Sequence, residues 1–227
     1  MAPVPIAVAL CGLMLAAAVA LRRRSRRRPR RATVVSLQNE TSADPGTEAI
    51  TSIQRADLLI DRDALEEIWT PMHLERLART YWRFLTRVTL GLIRVRYTDQ
   101  ERSVVLVAPP LRLLTFEAPE YEMDASHGLV RWRISRGLLV SKRGRDRRGY
   151  LQIEVRRRPD DGDGRARIPL HVEVAVANFY PSIASGLSRT IYNITQSRIH
   201  VVVTYAFLRS LTRLDLAESR VGRLRDQ

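Results

Sequence analysis

Ile168-Pro169-Leu170-His171-Val172-Glu173-Val174-Ala175-Val176 sets Ile168, Leu170, Val172, Val174 and Val176 against His171, Glu173 and Ala175, the period-two pattern of a strand with one buried face. It closes a series. Upstream, Ile93, Val95 and Tyr97 alternate with arginines, and Val104 to Ala108 and Leu111 to Glu117 flank the Pro109-Pro110 break. Val130, Trp132 and Ile134 alternate with Arg131 and Arg133, and Leu151, Ile153 and Val155 with Gln152, Glu154 and Arg156. Turn residues fall between the runs, at Asp99 to Glu101, Asp124 to Gly128, Gly144 to Gly149 and Asp160 to Gly164. Connections of that length suit hairpins and are too short for βαβ crossovers, so the sheet is expected to be antiparallel, with one wet, arginine-rich face and one apolar face.

On either side of this region the period changes to 3.6. Asp63 with Glu66 three residues later has the spacing of a capping box, and Thr70-Pro71 offers an N-cap followed by proline at the first helical position. From there Leu74, Leu77, Ala78, Tyr81, Leu85 and Val88 form one stripe, broadened by Trp82 and Phe84, with arginines on the other faces. After the strands, Ile183, Leu187, Ile191 and Ile194 make a stripe, and Ile199, Val202, Val203, Phe207, Leu211 and Leu214 the next, to about Leu216. Flanking Arg198, His200 and Arg209 bar that stretch from spanning lipid. The expected fold class is α+β, an antiparallel β-meander packed on a long C-terminal helix.

This element order, with Ala177-Asn178-Phe179-Tyr180-Pro181 passing from the last strand to the final helix, resembles the START-like helix-grip superfamily, also called SRPBCC or polyketide cyclase-like. The resemblance covers roughly Ile60 to Leu216. It implies a curved sheet gripping the final helix around a cavity that takes a lipid or another apolar small molecule. Trp132, Ile153, Val174, Tyr192 and Phe207 are then the nominated lining residues. It also implies a strand before the first helices, for which Ala56-Asp57-Leu58-Leu59-Ile60 is the one apolar candidate. It carries over no catalytic residue.

Ala2 to Leu21 is a run of apolar and small residues without a charge, and it meets Arg22, Arg23, Arg24, Arg26, Arg27, Arg28, Arg30 and Arg31. At about 1.5 Å per residue the run measures roughly 30 Å, the thickness of a bilayer's hydrocarbon core. It is expected to be a single transmembrane anchor at the cell membrane, and the positive-inside bias puts the arginines and the domain after them on the cytoplasmic side. The arginines then fix topology and face anionic headgroups. The alternative is export after signal cleavage, for which Ala18-Val19-Ala20 fits the site but no basic residue precedes the apolar run.

Net charge is +14, from 38 basic and 24 acidic residues. Residues 1–31 hold eight of the arginines and no acid, which leaves +6 for the rest. A nucleic-acid partner is therefore unsupported by the high overall charge, which belongs mainly to the anchor. Arg131, Arg133, Arg156, Arg157 and Arg158 form either a solvated sheet face or a second surface for anionic lipid. Residues 32–56 are polar and punctuated by Pro45 and Gly46, and read as a flexible linker. A single domain is expected over 57–216, and a disordered tail over 217–227.

Catalytic chemistry finds little support. His73, His127, His171 and His200 lie far apart without zinc-ligand spacing, Cys11 is the sole cysteine, and no nucleophile-elbow, Walker or dinucleotide motif occurs. Glu117, Glu120, Glu122 and Asp124 form the sharpest acidic cluster but lie where a turn keeps them solvated. On the strand register His171 points away from the apolar face. No catalytic residue, metal or cofactor is assigned. Two functions remain: a membrane-anchored module binding a lipid or other apolar ligand, or a non-enzymatic scaffolding protein of the cell envelope that binds a partner protein.

Overall fold

The alternating runs become nine antiparallel strands among the described residues of the computed structural model, which are 31–46, 49–98, 100–107, 111–141, 149–157, 166–180, 198–213 and 216–217. In chain order these are β1 (Ala32–Ala43), β2 (Ile50–Asp61), helices α1 (Arg62–Ile68) and α2 (Pro71–Val88), then β3 (Ile93–Tyr97), β4 (Glu101–Leu106), β5 (Leu111–Glu117), β6 (Glu120–Met123), β7 (His127–Arg136), β8 (Tyr150–Arg157) and β9 (Arg167–Phe179). Helix α3 (Arg198–Ser210) follows and passes into a 3-10 turn, Leu211–Arg213. The sheet order is β1-β2-β9-β8-β7-β5-β4-β3, with β6 paired to β7 beside this path.

The expected antiparallel strands between 93 and 176 are present. The sheet is longer than expected because residues 32–56, expected to be a flexible linker, form β1 and half of β2. The reason lies in what these strands place on their inner face. Thr41 and Ser52 hydroxyls share a hydrogen bond of 2.9 Å, and Gln54 Nε2 donates to Asn39 Oδ1 at 2.9 Å and to Ser52 Oγ at 2.8 Å. These side chains bond one another within β2 and across the pair, so the strands need no apolar alternation at that end. Strand β2 then pairs with β9 from Ile50 to Asp61, and so stands before the first helices. Arg31, the first described residue, is tied into the fold: its N–H donates to Thr212 O (2.9 Å) and its carbonyl accepts from Asp61 N (3.1 Å).

Helix α2 starts where Thr70-Pro71 places it. Thr70 Oγ1 accepts from His73 N at 3.3 Å, and Pro71 costs nothing at a position whose N–H has no helical partner. The capping box expected from Asp63 is not formed; the N-cap of α1 is Asp61, two residues earlier, and Asp63 lies in its first turn. The α2 stripe buries Leu74, Leu77, Ala78, Tyr81, Trp82, Phe84 and Val88. It packs against α3, β3 and β7 at once. At the centre, Trp82 meets Trp132 edge-on at 5.2 Å, Tyr81 at 5.2 Å and Phe116 at 5.4 Å, while Tyr81 meets Phe207 at 5.6 Å.

The long C-terminal helix is described only as α3, 13 residues; 181–197 lie outside the described residues, as do the apolar run 2–21, arginines 22–30 and the tail from 218. Ala217, expected to open the tail, is tied to α2. Its N–H donates to Thr80 Oγ1 at 2.7 Å and its carbonyl accepts from Arg76 Nε at 3.0 Å. No helix among the described residues is long and apolar enough to cross a membrane.

Candidate ligand cavity

Leu58 and Ile60 on β2, Leu170 and Val172 on β9, and Val155 on β8 point to the same side of the sheet because antiparallel register places them opposite one another. Helices α1 and α2 cross this surface with Leu65, Ile68, Leu74 and Leu77, and Leu211 and Leu216 close it from the C-terminal side. Packing leaves a gap of about 60 Å³ between these residues. The gap is almost wholly apolar and lies at the end of the sheet where α1 turns into α2.

Its polar wall is short. His73 Nδ1 lies 2.8 Å from Thr70 Oγ1, and Arg76 Nη1 lies 3.1 Å from His73 Nε2. A guanidinium only donates, so Nε2 is the acceptor and Nδ1 carries the proton toward Thr70. Burial, and then the charge of Arg76, holds the His73 pKa below the ordinary histidine value. The wall is therefore neutral at physiological pH. Beside it, Trp69 Nε1 donates to Asp124 O at 3.0 Å and Arg157 lies 4.8 Å above the indole ring. Asp124 Oδ1 fixes that turn by accepting from Ser126 N (2.7 Å) and His127 N (2.8 Å). Gly128 opens the floor of the gap: a Cβ there would come no closer than 3.6 Å to Leu74.

The residues nominated from sequence are elsewhere. Trp132, Ile153, Val174 and Phe207 are buried to within 1% of complete, in the filled part of the core, and none of them lines the gap. Tyr192 lies outside the described residues. Trp82, on the widened α2 stripe, packs against both Trp132 and Phe116 and fills the core around them. Trp69, Thr70 and His73 were missed as wall residues, although the Thr70-Pro71 cap that holds them is visible in the sequence. Two buried polar atoms in the interior, Trp82 Nε1 and Gln54 Oε1, have no hydrogen-bond partner among the described residues.

The other sheet face holds the charges. Arg55 spans Glu173 (2.8 Å) and Glu40 (3.2 Å), His171 Nδ1 lies 2.7 Å from Asp57 Oδ1, and Ser36 donates to the same carboxylate. The His171 and Ser36 hydrogen bonds hold the Asp57 pKa below the ordinary carboxylate value. His171 thus faces away from the apolar side, as its register indicated. Glu154, nearly buried, accepts from His127 (2.9 Å) and Arg156 (2.6 Å). Arg133 pairs with Glu120 at 2.8 Å, and Arg131 bonds Gln152 Oε1 at 2.9 Å under the Tyr150 ring. Of the arginines read as either a solvated face or a second surface for anionic lipid, Arg131, Arg133 and Arg156 thus have side-chain partners and Arg157 lies on Trp69, while Arg158 is outside the described residues. No group of three or more His, Cys, Asp or Glu among the described residues is placed to hold a metal ion.

No protein-family model matches the chain, and no curated protein matches it. Among solved structures, the crystal structure of human STARD10 aligns over 76% of this chain and 72% of that one, with 8% identity and a TM-score of 0.30. So loose a superposition carries no argument of its own. The class is defined by the molecule itself: an α+β domain built on an antiparallel sheet with few helices.

Proposed function

We propose that this domain is a START-like, helix-grip binding module that takes a narrow apolar ligand, or the end of one, into the gap between the α1–α2 turn and the sheet. The observation that carries this reading is the gap itself, an apolar recess whose single polar wall is the neutral Thr70–His73 pair. Ligand sites are commonly apolar recesses with a few orienting polar groups, but of about 300 to 1,000 Å³. The volume of about 60 Å³ accommodates only a few methylene groups. A longer chain enters by displacing the flexible side chains of Leu74, Leu77 or Leu216.

The module is held at the cell membrane by residues 2–21, with Arg22 to Arg30 against anionic headgroups, Arg31 tied into the domain with its guanidinium 3.6 Å from Glu67, and the domain on the cytoplasmic side. This placement rests on the sequence. A reporter fused after Leu216 is expected to be active only in a cytoplasmic format, and activity in a periplasm-dependent format overturns the orientation.

Native mass spectrometry of the full chain, released from detergent, tests the binding reading. An apolar molecule retained by the wild type and lost in Gly128→Val, which points a side chain into the gap, is the expected result. A ligand-free wild type, with no apolar compound binding on addition, refutes it. The aromatic-filled interior favours a second reading, a scaffolding domain with a solid core that binds a partner protein. Crosslinking in cells that returns one discrete partner supports that alternative.

A further inference from the structure

At the far end of α2 the chain breaks a local rule. The helix ends at Thr89, and the next residue, where glycine is usual because the backbone turns left-handed, is Leu90 at φ +53°, 48% exposed. A leucine there is costly by about 1 kcal/mol, and such strain persists where something else requires it. Leu90 has apolar company. Leu92, Val107, Leu111 and Leu138 are each exposed by 39% or more, and the backbone gathers them at one corner: Val107 N donates to Leu92 O, Leu106 pairs with Leu111, and Leu138 N donates to Arg112 O.

Among the described residues, the exposed charges nearest this corner have one sign. Arg87, Arg94, Arg96 and Arg112 are exposed, and among the described residues none of the four is in an ion pair. Register places Arg94 and Arg112 on either side of Val105. From Arg87 to Phe116 the only carboxylates are Asp99 and Glu101, at the opposite turn of the β3–β4 hairpin. Leucines and a valine at a tip, with uncompensated arginines behind them, match the cross-section of a lipid interface: acyl chains first, phosphates next.

We propose that this corner, formed by the end of α2 and the tips of β3 to β5, docks on an anionic phospholipid surface. The surface is separate from the ligand gap, because α2 carries the two at opposite ends, roughly 27 Å apart at 1.5 Å per residue. Its test therefore does not depend on whether the gap binds anything. The full chain with Cys11→Ser carries a polarity-sensitive fluorophore on a single new cysteine, Leu92→Cys or, as control, Val35→Cys, which alters an exposed residue of β1. Both proteins are reconstituted into vesicles of phosphatidylglycerol with phosphatidylcholine, or of phosphatidylcholine alone, and circular dichroism verifies the fold.

In the anionic vesicles the probe at position 92 is expected to shift to the blue and to be quenched by brominated acyl chains. The probe at position 35 stays in water. Both signals at 92 disappear in the triple variant Arg94→Gln, Arg96→Gln, Arg112→Gln. They also disappear at about 1 M salt, where screening shortens to about 3 Å. A water-exposed probe at 92 in anionic vesicles overturns the proposal. So does a blue shift that is equal in phosphatidylcholine alone and rises with protein concentration, which marks self-association instead.

Discussion

Gly137 is where a single methyl group would be felt most. Its φ is +143°, and a Cβ would lie 2.3 Å from Leu113 O, the carbonyl that accepts from Leu139 N. Gly137→Ala is expected to destabilise by about 2 kcal/mol or more, through strain and the loss of that bond, measured as a lower midpoint of denaturant unfolding. Gly128 predicts the opposite sign. It sits in regular strand backbone facing the gap, so Gly128→Ala adds a methyl at ordinary contact distance from Leu74, and the melting temperature should rise, by about 0.5 to 1 kcal/mol of stability. His73 gives a pH dependence. Its pKa is lowered on folding, so the unfolded chain binds the proton more readily and stability falls as pH drops below the ordinary 6.5. Melting temperatures from neutral pH to about pH 5 should decline in the wild type and flatten in His73→Gln. Asp57, lowered from 3.8, contributes mainly below that window.

Elements differ in how openly their residues announce them. Strands β3 to β5 and β7 to β9 were legible because one side faces water and the other a core, which writes period two into the chain; β6, exposed along most of its length, was not read. Strands β1 and the start of β2 were not, because the inner positions Asn39, Thr41, Ser52 and Gln54 are polar and bond one another within β2 and across the pair. No scan for apolar alternation detects that. Helix α2 was read from its stripe and from Thr70-Pro71, and that cap has a testable worth: Thr70→Ala should cost about 1 kcal/mol in thermal or denaturant melts. The gap was harder to foresee. Its wall comes from the α1–α2 turn, and the filled core beside it depends on Trp82 of α2 reaching Trp132 of β7, a contact between residues fifty positions apart.

For the whole molecule, the strand that stands before the helices closes the fold. β2 pairs with β9 along nearly its full length and β1 extends the sheet beyond it. A fragment starting at residue 57, the boundary suggested by composition, leaves β9 half unpaired and should show poor dispersion in its NMR spectrum; one starting at Arg31 should fold. The place where the chain enters the domain has a further result. If residues 2–21 form the proposed span, the nine residues between it and Arg31, whose backbone is bonded to Thr212 and Asp61, reach at most about 30 Å. A domain so held would meet weak sites in the same bilayer at an effective concentration in the millimolar range, without high intrinsic affinity.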